Sequence, residues 1–181
     1  MANIIGPYML QEIKRLADGT DEDCLEVCET LLGPIFSNGK CADPSVIDDL
    51  LPIFINFLKA KNVEIQKEGI FFTTAVTTTS KGELNEEYFT LKVIEAGAIE
   101  ALLNLLFSKD HIVLRKTFVC LNNIGVTYSN IIIQKCKDFG TVRLGKRCNE
   151  LCNSRKVWIK HASRAFLNKY IIIVHRENDD E

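Results

Sequence analysis

An all-α fold of stacked helical repeats is what this sequence predicts, and three observations predict it. Apolar residues recur three and four apart in every long segment, the spacing of one helix face. The same apolar pattern returns along the chain at offsets of about 43 to 48 residues, within the period of two- and three-helix repeat units. Polar breaks carrying cap or turn residues separate the segments every ten to twenty positions. A single helix of this kind cannot bury its apolar face alone, so neighbouring units must stack to do so.

Taken in chain order, Tyr8 to Ala17 forms a first helix. Thr20-Asp21-Glu22-Asp23 starts a second, running to about Phe36. Together these residues, 1–40, form a degraded first unit. Asp43-Pro44 then opens a helix with an N-cap and a proline at the first helical position. Leu51 to Leu58 carries its apolar stripe, Ala60-Lys61-Asn62 breaks it, and Ile65 to Val76 forms the partner helix. In that helix Gly69 stands where Thr117 stands 48 residues later, and both are small, as close helix crossing requires. This second unit spans 43–79.

The stretch from Thr77 to Glu87 is about six residues longer than a standard connection, with Ser80 and Glu83 as a capping box for a short helix. It reads as a surface extension. Gly97 to Leu106 is an amphipathic helix, Ser108-Lys109-Asp110 a break in which Ser108 or Asp110 caps the next helix, and Ile112 to Tyr128 that helix. This third unit spans 88–128. In the fourth, 132–174, Asp138-Phe139-Gly140-Thr141-Val142 matches Glu95-Ala96-Gly97-Ala98-Ile99. With two extra residues allowed, Ala162 to Asn168 falls on Thr117 to Asn123. The four units make one repeat domain over 1–176, followed by an acidic tail, 177–181. Trp158 falls on an inward position of the last helix pair and is expected in the core.

Composition narrows the function. With 46% hydrophobic and 25% charged residues the chain has the balance of a folded, water-soluble domain rather than a disordered one. No run approaches the roughly 18 apolar residues of a membrane span, and the first residues lack the basic and apolar regions of a signal peptide. The expected location is the cytoplasm, with the nucleus as the alternative. Seven cysteines, an odd number without framework spacing, suit reduced thiols. The pairs Cys24/Cys28 and Cys148/Cys152 lie four apart on helix faces. They are read as small buried residues rather than metal ligands, so neither metal nor cofactor is expected.

No phosphate-binding loop, dinucleotide fingerprint or metalloprotease motif occurs. Asp138-Phe139-Gly140 spells a protein-kinase triplet, but the glycine-rich loop, strand lysine and catalytic loop that must accompany it are missing. The chain is therefore read as a non-enzyme without catalytic residues. Charge is uneven. Residues 1–100 hold 17 acidic and 8 basic side chains, whereas residues 134–176 hold 11 basic and 2 acidic ones. Such a field acts on partner choice rather than on fold. Aromatic platforms are sparse in the basic third, which sets a nucleic-acid partner behind a protein one.

The segment from Val93-Ile94-Glu95-Ala96-Gly97-Ala98-Ile99 to Leu121-Asn122-Asn123-Ile124-Gly125 resembles a complete armadillo repeat. It carries that family's glycine between a short first helix and the second, its Ser-x-Asp break and its Asn-Ile ending. HEAT repeats are the runner-up and lack the glycine turn. The resemblance covers roughly residues 43–170 and implies a right-handed α-solenoid of about four units. Their third helices would line a concave surface that binds an extended peptide or a partner protein, as an adaptor does.

In importin-alpha-like members an asparagine there bonds the ligand backbone and a tryptophan one turn earlier packs on lysine stems. The resemblance places Asn123 and Asn168 at the asparagine position, with Ala75 in the earlier unit. It places Phe71, Val119 and Arg164 at the tryptophan position, and Glu68, Lys116 and His161 one turn before. No tryptophan falls there, so the groove for basic signals is altered. Lys116, Arg164 and nearby Lys160 make it more similar to beta-catenin, in which basic residues receive acidic extended segments. A nuclear-import-type receptor, a nucleic-acid-binding module using the basic C-terminal third and a cochaperone-like repeat domain are the alternatives.

Overall fold

The computed structural model describes residues 7–32, 44–78 and 86–172. Among them every regular element is a helix. The chain forms two compact units, Met1–Ala98 and Ile99–Glu181.

In the first unit α1 (Pro7–Ala17) is followed by α2 (Asp21–Glu26), which continues as a wider π-helical turn, Val27–Leu32. Thr20 caps α2. Its hydroxyl accepts from the Asp23 amide while the Asp23 carboxylate accepts from the Thr20 amide at 2.8 Å, a reciprocal pair that satisfies two otherwise orphaned donors. α3 (Pro44–Lys59) and α4 (Val63–Thr78) form the central hairpin, and α5 (Glu86–Glu95) packs on α4. Leu50, Phe54, Phe57 and Leu58 of α3 and Ile65, Ile70, Phe72 and Val76 of α4 are buried in the core of this hairpin, with Phe54 stacked on Phe72 at 5.0 Å.

The crossing is close because of Gly69. A Cβ there would lie 2.8 Å from the Leu58 amide nitrogen and 2.9 Å from the Phe57 carbonyl carbon. Buried Thr73 and Thr77 donate their hydroxyls to carbonyls one turn back, Gly69 O at 2.7 Å and Thr73 O at 3.1 Å, which removes the penalty of burying them. The Asp43 cap and the Ser80–Glu83 capping box lie outside the described residues.

The second unit contains α6 (Ala98–Leu105), α7 (His111–Thr127), α8 (Ser129–Phe139), α9 (Thr141–Cys152) and α10 (Val157–Phe166). α10 continues as a π-helical turn, Leu167–Ile171. Of the two cap candidates before α7, Asp110 is the one used. Its carboxylate accepts from the Ile112 and Val113 amides at 2.7 and 2.9 Å, while Ser108 accepts from the Asp110 amide.

α6 is buried on nearly every side, with Asn104 its exposed position. Its final carbonyls are met by the amides that follow, Leu106 N to Leu103 O, Phe107 N to Asn104 O and Ser108 N to Leu105 O, and the turn beyond is held from another helix. Arg147 of α9 donates Nε to Leu106 O at 2.8 Å and Nη2 to Ser108 O at 2.9 Å. Gly97 and Gly140, the expected repeat turns, have φ of 86° and 104°, and are the positive-φ residues among those described. There an L side chain is strained.

Two backbone constraints follow. Gly97→Val should cost roughly 1–3 kcal/mol through left-handed strain. Gly69→Val should cost about the same through overpacking against α3. Both are read as lowered midpoints in denaturant unfolding followed by far-ultraviolet circular dichroism, whereas a control at the exposed Asn104, Asn104→Ala, should shift the midpoint little.

Candidate functional site

α7 and α10 run side by side in the same direction. Arg115 near the start of α7 lies over Trp158 near the start of α10, and Gly125 near the end of α7 meets Lys169 and Tyr170. Between them opens a cleft of about 330 Å³.

Its base is aromatic. Phe118 meets Phe166 edge to face at 5.8 Å, and Phe166 tilts against Tyr170 at 4.9 Å. The α10 wall is Trp158, Ala162 and Ala165, and the α7 wall is Arg115, Val119 and the exposed Asn122. Tyr170 can lie this deep because residue 125 has no side chain. A Cβ on Gly125 would sit 1.9 Å from the Tyr170 hydroxyl, which is itself buried without a hydrogen-bond partner.

Two cations sit on the aromatic faces. The Arg115 guanidinium is 6.0 Å from the Trp158 ring centre. The Lys169 ammonium is 5.0 Å from the Tyr170 ring centre and donates to Gly125 O at 3.2 Å. Among the described residues neither cation is ion-paired to a carboxylate. The cleft is therefore an apolar trough with positive charge at both ends and an amide in the middle of one wall.

The residues expected on the third-helix face are distributed as follows. Val119 is half exposed and lines the cleft. Lys116 and Asn123 of α7 are half-buried, while His161, Arg164 and Asn168 along α10 and its π-helical end are exposed. The cleft instead takes the adjacent position on each helix. On α7 these are Arg115 and Asn122, one residue earlier; on α10 they are Ala162, Ala165 and Lys169, one residue later. The opposite sense of the two shifts has a plain cause, since a trough between two parallel helices is lined by the flanks that face each other. Aligning one repeat on another superposes the helices and cannot show which flank faces which.

Trp158, expected in the core, is half-buried and forms part of the cleft wall. In the first unit Phe71 is 41% exposed and edge-on to Phe72, and Glu68 is half-buried near the Cys28 thiol.

Among the described residues the cysteines lie mostly in the interior. Cys28, Cys120, Cys136 and Cys148 are buried as free thiols, and Cys152 is half-buried within 3.4 Å of the Ser163 hydroxyl. Burial, with Glu68 and Cys24 adding repulsion, pushes Cys28 up to about 12. Burial likewise pushes Cys136 and Cys148 up to about 12, the two thiols being near enough for Cys148 to contribute to Cys136. Thiols so protonated are poor nucleophiles and poor metal ligands at neutral pH. Among the described residues no three of the side chains His, Cys, Asp and Glu gather in a way that would hold a metal ion. None of the described helices is long and apolar enough to cross a membrane.

No protein-family model matches the chain, and no curated protein matches it. Solved structures do. Two engineered proteins superpose with TM-scores of 0.63 and 0.59 at 19% identity, over 90% of this chain and 63% and 62% of theirs. A computationally designed armadillo repeat protein for modular peptide recognition superposes with a TM-score of 0.52 at 18% identity, over 90% of this chain and 74% of its own. The chain thus spans under two thirds of the length of the two engineered proteins. At these identities the likeness establishes the fold, an all-α solenoid of the armadillo type.

The raised thiols bear on alkaline stability. A folded-state value of about 12 against an ordinary 9.0 means the unfolded chain releases these protons first. The stability the thiols contribute is therefore complete below about pH 9 and lost as pH rises towards 12. Urea unfolding across this range should show the loss, and Cys148→Ala should make it shallower. In the native protein a thiol reagent should modify Cys152 well before Cys136 or Cys148.

Proposed function

We propose that this chain is a non-catalytic binding scaffold that holds an extended, acidic segment of a partner protein along its third-helix surface. The observation that carries this reading is the cleft between α7 and α10, an apolar trough with Arg115 and Lys169 at its two ends. An extended segment needs three things from such a surface: a hydrogen-bonding group for its backbone, apolar room for alternate side chains, and complementary charge.

Asn122 is an exposed amide on the α7 wall, with half-buried Asn123 beside it and exposed Asn168 across on α10. The aromatic base supplies the apolar room. Charge comes from the two rim cations, from Lys116 on α7 and from exposed Lys160 and Arg164 on α10, the last two within the stretch 134–176 that holds 11 basic and 2 acidic residues, and exposed His161 lies beside them. A designed repeat protein of the same fold is described as made for modular peptide recognition, which supports the use of this surface for peptides. Within the first unit, Phe71 and Glu68 would offer a binding face of their own, and the 1–176 span would act as one domain. The adaptor role and a cytoplasmic or nuclear location follow from the same reading.

A basic signal is the disfavoured ligand. Lysine stems bind by lying on open aromatic faces, and here the Trp158 and Tyr170 faces already carry the chain's own cations.

The test is fluorescence polarisation with labelled acidic and lysine-rich peptide pools. Acidic peptides should bind and lysine-rich ones should not. Binding should weaken as salt shortens the Debye length from about 10 Å at 0.1 M. Lys160→Glu with Arg164→Glu should weaken acidic binding several-fold while leaving the melting temperature close to that of the parent, since both side chains are exposed. Unchanged binding by that double variant, or preference for the lysine-rich pool, contradicts the reading. Asn122→Ala and Asn123→Ala compared side by side should lower affinity, not stability, at whichever amide holds the ligand backbone.

A further inference from the structure

We propose that the α7–α10 cleft selects a segment that lies along the two helices and inserts one bulky uncharged side chain, phenylalanine or leucine in kind, flanked by carboxylates about five residues apart. This rests on the scaffold reading above and adds an anchor, a spacing and a direction to it.

The anchor follows from the cleft's interior. Ala162 and Ala165 stand one turn apart on α10 and leave open the space above Phe118, Phe166 and Tyr170. The resulting volume, about 330 Å³, falls in the range of sites that enclose a ligand group rather than skim it. Aromatic walls ordinarily favour a cation. Arg115 over Trp158 and Lys169 over Tyr170 reverse that preference, because a third positive charge would enter beside the two already there. What gains most from such a site is a large apolar side chain, which removes aromatic and alanine surface from water at no electrostatic cost.

The spacing follows from helix geometry. Trp158, which marks the Arg115 end, and Lys169 are separated along α10 by a rise of about 16 Å at 1.5 Å per residue. An extended chain covers that distance in about five residues. A carboxylate at each end then meets one rim cation while the anchor drops between them.

Trp158 is the single tryptophan of the chain and stands in the cleft wall, so its emission reports occupancy directly. The probe is acetyl-Glu-Ser-Phe-Gly-Ser-Glu-amide, titrated against the full chain. Two relatives accompany it, one with serine for phenylalanine and one with lysine for both glutamates. The protein variant is Ala162→Leu, which fills the cleft without removing a contact, with its melting temperature measured alongside.

The expected result is a saturable change in Trp158 emission with the probe. It should weaken at least about tenfold with the serine peptide, as for loss of a buried anchor. It should be absent with the lysine peptide and lost in Ala162→Leu. If the serine peptide binds within about twofold of the probe, the anchor is wrong while the acidic-segment reading stands; this holds whatever Ala162→Leu does to folding. If acidic pools bind but the probe leaves Trp158 unchanged, the ligand lies elsewhere on the scaffold and this inference fails alone. Preference for the lysine peptide overturns both.

Discussion

The left-handed backbone at Gly97 and Gly140 is the constraint on which the repeat architecture depends. Each glycine lies between two helices that must change direction within a residue or two. A φ near +90° turns the chain there, and an L residue resists that conformation. The turn after Gly97 sends α6 into the interior, where nearly its whole circumference is buried. The turn after Gly140 aims α9 so that Arg147 reaches back to the Leu106 and Ser108 carbonyls in the turn after α6. That reach ties α9 to the turn after α6 through two part-buried hydrogen bonds to a charged donor.

The cleft depends on a second close approach. Gly125 lets the Tyr170 ring lie against α7, and Tyr170 in turn tilts Phe166 under the space left by Ala162 and Ala165. Lys169 is held by the Gly125 carbonyl and by the Tyr170 ring, so a single missing side chain organises both the base of the trough and one of its cations. Surface charge elsewhere is arranged more loosely. Lys14–Asp49 and Arg15–Glu12 are exposed pairs of the kind that contributes little to stability.

Much of the fold was legible because helices announce themselves locally. The stripes in Leu51–Leu58 and Gly97–Leu106, the breaks at 60–62 and 108–110, and the glycines at 97 and 140 each follow from a spacing or a backbone requirement visible in a few residues. Even Gly69 was legible, since a small residue opposite a helix signals a close crossing. The site was less so. Val119 lines the cleft at its repeat position, and Arg115, Asn122 and Lys169, which also line it, stand one residue from the other repeat positions, in opposite senses on the two helices. Trp158 was expected inside. The signal missed was the pairing of small residues, Ala162 and Ala165, with the aromatic run Phe118, Phe166 and Tyr170, which together imply a hollow rather than a packed seam.

By itself the sequence determined the helical fold, the glycine turns at 97 and 140 and the positive character of the C-terminal third. These are properties of residues near one another along the chain. Only the tertiary structure decided which flank of α7 faces which flank of α10, and that Arg115 and Lys169 cover the rings of Trp158 and Tyr170. Only there does Arg147 appear as the clasp on α6. Those outcomes depend on the rotation of one helix about its axis against another. A change of one residue turns a helix face by about 100°, and the mutual packing of several helices selects that rotation where no local pattern can.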